Sequence, residues 1–244
     1  LNDADFTYQY DANGNRTRQT AKVGGASTRY FYDVEQQLVR VILPTGTTVR
    51  YAYDAFGRRI RKALTAGTTT TVTQYVYDRE DIVLERDGAN TVTARYTHGP
   101  GIDEPLLLER DGQRFVYHAD GLGSITALSD AAGVVRQRYA YTAFGSIASQ
   151  LDASFVQPYT FTGREFDAET GLYYYRARTY DAATGRFLQR DPIGFAGGDF
   201  NLHGYVFQNP VNGTDPSGLR IYRRLPTYNT PEGFEKILNE LGGG

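Results

Sequence analysis

Tyr8-Gln9-Tyr10-Asp11-Ala12-Asn13-Gly14-Asn15-Arg16 is a phrase that the chain repeats. It returns as Tyr30-Phe31-Tyr32-Asp33, as Tyr51-Ala52-Tyr53-Asp54-Ala55-Phe56-Gly57-Arg58-Arg59 and as Tyr75-Val76-Tyr77-Asp78, with a period of roughly 20 to 24 residues. Weaker copies follow at Tyr96-Thr97-His98, Phe115-Val116-Tyr117-His118 and Tyr139-Ala140-Tyr141. Tyr-x-Tyr puts two rings on one face of a strand, Asp and Gly supply the turn, and the residues after the turn return along a second strand. Each unit therefore predicts a β-hairpin. A lone hairpin is marginal in water, so neighbours must share their aromatic faces and build one continuous twisted sheet.

Composition agrees with an all-β chain. The 244 residues contain Tyr 20, Phe 13 and Gly 27, with no Cys, Met or Trp. Without cysteine there are no disulfides, thiolate nucleophiles or cysteine zinc sites, and the fold must rest on packing. A formal net charge of −2 gives no basic field for a phosphate backbone, so nucleic acid is not expected to bind the body of the chain. No stretch reaches the ~18 apolar residues of a membrane span. The chain opens without Met, in mid-pattern, and is expected to be a piece of something longer.

Some features invite chemistry that a simpler account covers. Tyr-Asp pairs suit sugar recognition, but ring ladders with Asp as a turn acceptor explain the same spacing without a ligand. His98, His118 and His203 show no metal-ligand spacing, and no metal or other cofactor is expected. Arg58-Arg59-Ile60-Arg61-Lys62, the densest basic patch, is expected to be the solvated face of a strand.

Two Asp-Pro-x-Gly turns, Asp191-Pro192-Ile193-Gly194 and Asp215-Pro216-Ser217-Gly218, stand just before the sequence changes character at Leu219-Arg220. Either alone is an ordinary turn. Asn201, Tyr205 and Asn209 are expected to support the turns. Beyond Leu219, Thr230 as N-cap, Pro231 at the first helical position and apolar Phe234, Ile237, Leu238 and Leu241 predict one short amphipathic helix.

The repeats, with Tyr96-Thr97-His98-Gly99-Pro100-Gly101, Tyr117-His118-Ala119-Asp120-Gly121-Leu122-Gly123, Phe161-Thr162-Gly163-Arg164-Glu165, Gly171-Leu172-Tyr173-Tyr174-Tyr175-Arg176-Ala177-Arg178 and the closing Asp-Pro segment, resemble the RHS/YD-repeat family and its repeat-associated core domain. The resemblance implies a β-hairpin ribbon forming part of a curved hollow shell around a variable C-terminal toxin. It divides the chain into YD/RHS repeats at 1–150, a core domain at 151–219 and a variable tail at 220–244.

The resemblance also implies, as in several members of the family, self-cleavage after the Leu of Asp-Pro-x-Gly-Leu, here the Leu219–Arg220 bond; a chain that cuts itself so would be a single-turnover aspartyl autoprotease. Amide hydrolysis without a Cys nucleophile, a Ser triad or a metal needs a base for water and an acid for the leaving nitrogen. Two carboxyls sharing one proton supply both, so Asp191 and Asp215 are the candidates, with acid and base unassigned. Arg190 is expected to hold a carboxylate ionised or to stabilise the oxyanion. The partners implied are the chain's own C-terminal toxin segment, the N-terminal remainder of the shell, a secretion-system component and an immunity protein, in a secreted or cell-surface protein. Two departures stand out: Val211-Asn212-Gly213-Thr214 replaces bulkier residues before Asp215, which predicts a looser Asp215, and His203 replaces a Tyr. The competing class is a surface adhesion module that binds glycan or protein through its tyrosines, without catalysis.

Overall fold

The structure is a computed structural model and describes residues 3–223. The helix expected around Thr230–Leu241, and with it most of the 220–244 tail, lies outside the described residues. Fourteen strands follow one another as β1 (Phe6–Tyr10), β2 (Arg16–Ala21), β3 (Ser27–Tyr32), β4 (Leu38–Ile42), β5 (Thr48–Tyr53), β6 (Arg59–Ala66) and β7 (Thr69–Asp78). They continue as β8 (Asp81–Arg86), β9 (Val92–His98), β10 (Pro105–Arg110), β11 (Gln113–Ala119), β12 (Ile125–Asp130), β13 (Val135–Tyr141) and β14 (Ile147–Gln150). Each pairs with the next in sequence order, giving one open antiparallel sheet. The all-β ribbon expected from the repeats is what forms.

The repeated aspartate is a turn acceptor. Asp54 Oδ1 takes the backbone N–H of Phe56 at 2.9 Å and of Arg58 at 3.0 Å, and Gly57, at φ +78°, supplies the left-handed step that closes the reversal. The first tyrosine of each unit packs inward: Tyr8, Tyr30, Tyr51, Tyr75 and Tyr96 are all buried. The second sits beyond a shift in strand register, between Phe31 and Tyr32 and again between Ala52 and Tyr53. That shift aims its hydroxyl at the neighbouring strand. Tyr32 donates to the Arg16 carbonyl at 2.8 Å, Tyr53 to Leu38 at 2.7 Å, Tyr77 to Arg59 at 2.9 Å and Tyr141 to Ile125 at 2.6 Å. His98, standing where a unit would have its second Tyr, makes the same link through Nε2 to the Ile82 carbonyl at 3.0 Å.

Against one face of the ribbon lies a smaller sheet of β15 (Glu165–Asp167), β16 (Leu172–Tyr175), β17 (Arg178–Asp181) and β18 (Arg186–Phe187). Its tyrosines Tyr173, Tyr175 and Tyr180 cluster with Phe161, Phe187 and Tyr205, while Leu172 and Leu188 pack among ribbon residues Leu38, Val41 and Val49. A last pair, β19 (Gly213–Thr214) and β20 (Tyr222–Arg223), straddles Leu219.

Buried arginines fasten ribbon to small sheet. Arg16 reaches Asp181 at 2.5 Å, and Arg59 reaches Asp167 at 2.6 Å and Glu165 at 3.0 Å. Lys62 bridges Asp167 and Glu169. From the small sheet's side, Arg164 and Arg176 converge on Asp103. The basic patch is therefore a solvated face only in part: Arg61 is exposed, but Arg59 is 3% exposed while its neighbour Ile60 is 38% exposed. A guanidinium goes inward because two carboxylates and the rings of Tyr51, Tyr75 and Tyr174 wait for it. Burial pushes the Asp167 carboxyl up, but the charges of Arg59 and Lys62 and their hydrogen bonds together hold it below the usual range.

Candidate active site

Both Asp-Pro-x-Gly segments form the turns their sequence predicts, closed by the Gly194 N–H on the Asp191 carbonyl at 3.0 Å and the Gly218 N–H on the Asp215 carbonyl at 3.1 Å. Gly218 has φ +69°, and a Cβ there would stand 2.3 Å from the Tyr175 carbonyl oxygen. The turn is thus pressed against the end of β16. The two aspartates, 24 residues apart in sequence, meet at one side chain. Arg178 Nη2 lies 3.2 Å from Asp191 Oδ2 and 3.1 Å from Asp215 Oδ2.

Arg178 is the residue that sequence reasoning missed. It opens β17 with its guanidinium 3.7 Å from the Phe187 ring centroid, and its Nε donates to the Gly218 carbonyl, one peptide before Leu219. Its only signal in the sequence was its place in the Gly171–Arg178 motif. Arg190, expected in this role, is exposed, and its aliphatic stem lies over the Gly14 turn. No ion pair links it to either aspartate among the described residues.

The peptide bond between Leu219 and Arg220 lies in the same place. Asp215 Oδ1 accepts the backbone N–H of Leu219 and of Arg220, each at 3.0 Å, and the Ser217 hydroxyl at 3.3 Å. On the other side of the bond, a Cβ built on Gly197 would stand 2.5 Å from Asp191 Oδ2 and 3.0 Å from the Leu219 carbonyl oxygen. The missing side chain of Gly197 leaves those two oxygens a common space. A cavity of about 360 Å³ lined by Leu219, Ser217, Arg176 and Tyr174, and by Gly57 and Glu80 of the ribbon, opens beside the bond.

Burial is the main influence on all three charged groups. It raises the Asp191 carboxyl above the usual range against the opposing charge of Arg178 and the Ile193 N–H. It raises Asp215 likewise, against Arg178 and the N–H groups of Arg220 and Leu219. It also works against the charge on Arg178, which the two carboxylates support. Two acids whose protons are held more tightly than usual by burial thus lie against one cation beside the same peptide bond.

The remaining candidates have structural places. Tyr205 is fully buried in the tyrosine cluster; Asn201 Oδ1 accepts the His203 N–H at 3.3 Å; Asn209 Oδ1 accepts from the Asn212 side chain at 2.9 Å. His203 packs edge-on against Tyr10 and contacts the Phe187 carbonyl through Nδ1. Asp215 is not loose: it is 1% exposed, and Gly213 before it is a buried member of β19.

The family model described as the Teneurin YD-shell matches residues 1–211. The chain belongs to the YD-shell family. Among curated proteins, the tRNA3(Ser)-specific nuclease WapA of Bacillus spizizenii is 34% identical over 89% of this chain and 9% of its own length. The double-stranded DNA deaminase toxin A of Burkholderia cenocepacia is 33% identical over 71% of the chain and 13% of its own length. The chain thus spans about a tenth of the length of these two curated relatives. Among solved structures, the TcdB2-TccC3-Cdc42 crystal structure superposes with a TM-score of 0.66 at 21% identity, over 88% of this chain and 13% of that one. The Tc holotoxin pore of Photorhabdus luminescens carrying TccC3-D651A gives 0.65 at 21% identity, over 91% of this chain and 13% of that one. As a YD-shell segment the chain shares its architecture with shells found in polymorphic toxins, and none of its described helices is long and apolar enough to cross a membrane.

Proposed function

We propose that this YD-shell segment closes one end of a toxin-enclosing shell and cuts its own chain between Leu219 and Arg220. The observation that carries the reading is the placement of two carboxyls on either side of one peptide bond: Asp215 3.0 Å from the Arg220 nitrogen, and Asp191 beside the Leu219 carbonyl over Gly197. The pair shares one proton. Asp191 takes a proton from the attacking water, Asp215 delivers one to the departing Arg220 nitrogen, and Arg178 holds both carboxylates and the preceding carbonyl in register. Residues 1–150 act as ribbon, 151–219 as the closing unit, and 220–244 as the start of the enclosed toxin. The remaining N-terminal shell, a secretion-system component and an immunity protein are the partners this reading carries, with export from a bacterial cell as the destination.

Intact mass spectrometry under denaturing conditions tests it. The parent chain should break after Leu219, and Asp191→Asn and Asp215→Asn should stay whole, with rates lowered about a hundredfold to ten-thousandfold. A parent that remains whole from mildly acidic to neutral pH ends the proposal. No observation favours the adhesion reading, because the repeat tyrosines Tyr30, Tyr51, Tyr75 and Tyr96 are buried in the sheet's own packing.

A further inference from the structure

The bond to be cut lies inside a small hairpin, and its far arm is held by the body of the protein. Strand β20 begins two residues beyond Arg220 and pairs antiparallel with β19, Thr214 opposite Tyr222 and Gly213 opposite Arg223. Between the bond and the strand, Ile221 packs against the tyrosine cluster of the small sheet. The seat is shaped for close approach: a Cβ on Gly213 would lie 3.3 Å from Val206 Cβ, 3.6 Å from the Tyr222 carbonyl oxygen and 3.7 Å from Ile221 Cγ2. None of these contacts involves the Leu219 carbonyl carbon.

We propose that the segment beginning at Arg220 stays seated after the cut, with its new α-ammonium captured by Asp215. The inference rests on the self-cleavage reading. Hydrolysis adds the hydroxyl of water to the Leu219 carbonyl carbon and a proton to the Arg220 nitrogen. The carbon becomes a carboxylate, and the nitrogen leaves as an amine that takes a further proton near neutral pH. That nitrogen already donates to Asp215 Oδ1 at 3.0 Å, so the new positive charge appears where a buried carboxylate accepts it. Asp215 serves first as the acid on the nitrogen and then as its counter-ion. Ile221 and the two-residue ladder set the register of the captured end. The product end is therefore recognised by a free amine followed by a β-branched apolar residue in extended conformation.

Two measurements on the full chain test this. In the first, the cleaved parent is followed by denaturing and native mass spectrometry. The expected result is two pieces when denatured and one assembly when native, with Ile221→Gly losing the 220–244 piece about tenfold faster. Because the sheet here is open, enclosure by a whole shell does not account for retention. A parent that is cut but loses its tail at the rate of Ile221→Gly overturns the clasp and leaves self-cleavage standing. The second measurement is amide hydrogen exchange on Asp191→Asn, which keeps every bond to Asp215 Oδ1 and does not depend on cutting. The amides of Gly213–Thr214 and Tyr222–Arg223 should be protected there and should lose that protection when Ile221→Gly is added. Exchange as fast as in an exposed turn overturns the seat, whatever the parent does. Failure of the parent to cut, with protection intact, overturns both self-cleavage and the capture step that depends on it.

Discussion

The two Asp-Pro-x-Gly turns have the same local sequence and the same backbone closure, yet their carboxylates live differently. Asp191, its side chain 8% exposed, accepts one backbone N–H, from Ile193 at 3.0 Å, besides its pair with Arg178. Asp215 is 1% exposed and its Oδ1 alone receives three donors, while Oδ2 faces Arg178. One aspartate has few donors and lies beside a carbonyl; the other organises the loop that carries the bond. A motif defines the turn, and the surroundings decide what its carboxylate is for.

The difference can be strained at four points of decreasing effect. Arg178→Lys should lower cleavage by about a hundredfold, because an ammonium cannot meet both carboxylates and the Gly218 carbonyl in one plane; rates from time-resolved intact mass give the answer, and a Lys variant as fast as the parent would remove Arg178 from the mechanism. Replacement by alanine should separate the two aspartates by stability. Asp215→Ala leaves two backbone N–H groups and half of the Arg178 charge without partners, so it should cost about 3 kcal/mol, against about 1 kcal/mol for Asp191→Ala, in chemical denaturation. Equal losses would erase the distinction.

Acidity provides the third test. Both carboxyls are raised by burial, so the singly protonated pair should be most populated above the ordinary carboxylate range. Cleavage should fall as pH drops through the lower of the two values, when the base is protonated. It should fall again as pH rises through the upper one, when the acid is lost. A rate that climbs steadily to alkaline pH contradicts a shared proton. The smallest effect belongs to Arg190→Ala: an exposed side chain draped over the Gly14 turn should change the cleavage rate by no more than about twofold.

What could be read from the sequence was what local chemistry dictates. Tyr-x-Tyr-Asp-x-x-Gly contains its own strand, turn acceptor and left-handed step, so hairpins and their order follow without knowledge of the rest of the chain. The pairing of Asp191 with Asp215 came from two like turns set just before a change in the character of the sequence, and the bond after Leu219 came from the family resemblance. Arg59 and Arg178 were beyond reach for a different reason. Whether a guanidinium points inward depends on what charge meets it, and the partners of Arg59 are Glu165 and Asp167, more than a hundred residues away. Arg190 was favoured because it adjoins Asp191 in sequence, but that neighbour sends its side chain to the other side of the backbone. Gly213, read as slack before Asp215, is the opening through which β20 reaches its partner.

The arginines of the first and third hairpins, Arg16 and Arg59, fasten the ribbon to carboxylates two strands apart in the small sheet, Asp181 in β17 and Asp167 in β15. Two rivets at a fixed separation act as a gauge of ribbon length. Deleting or duplicating one hairpin between them would leave every turn and tyrosine ladder intact while presenting the wrong residue to one of the sockets. Repeats elsewhere along such a ribbon are free to multiply by copying; here the count is fixed by the plate they are bolted to.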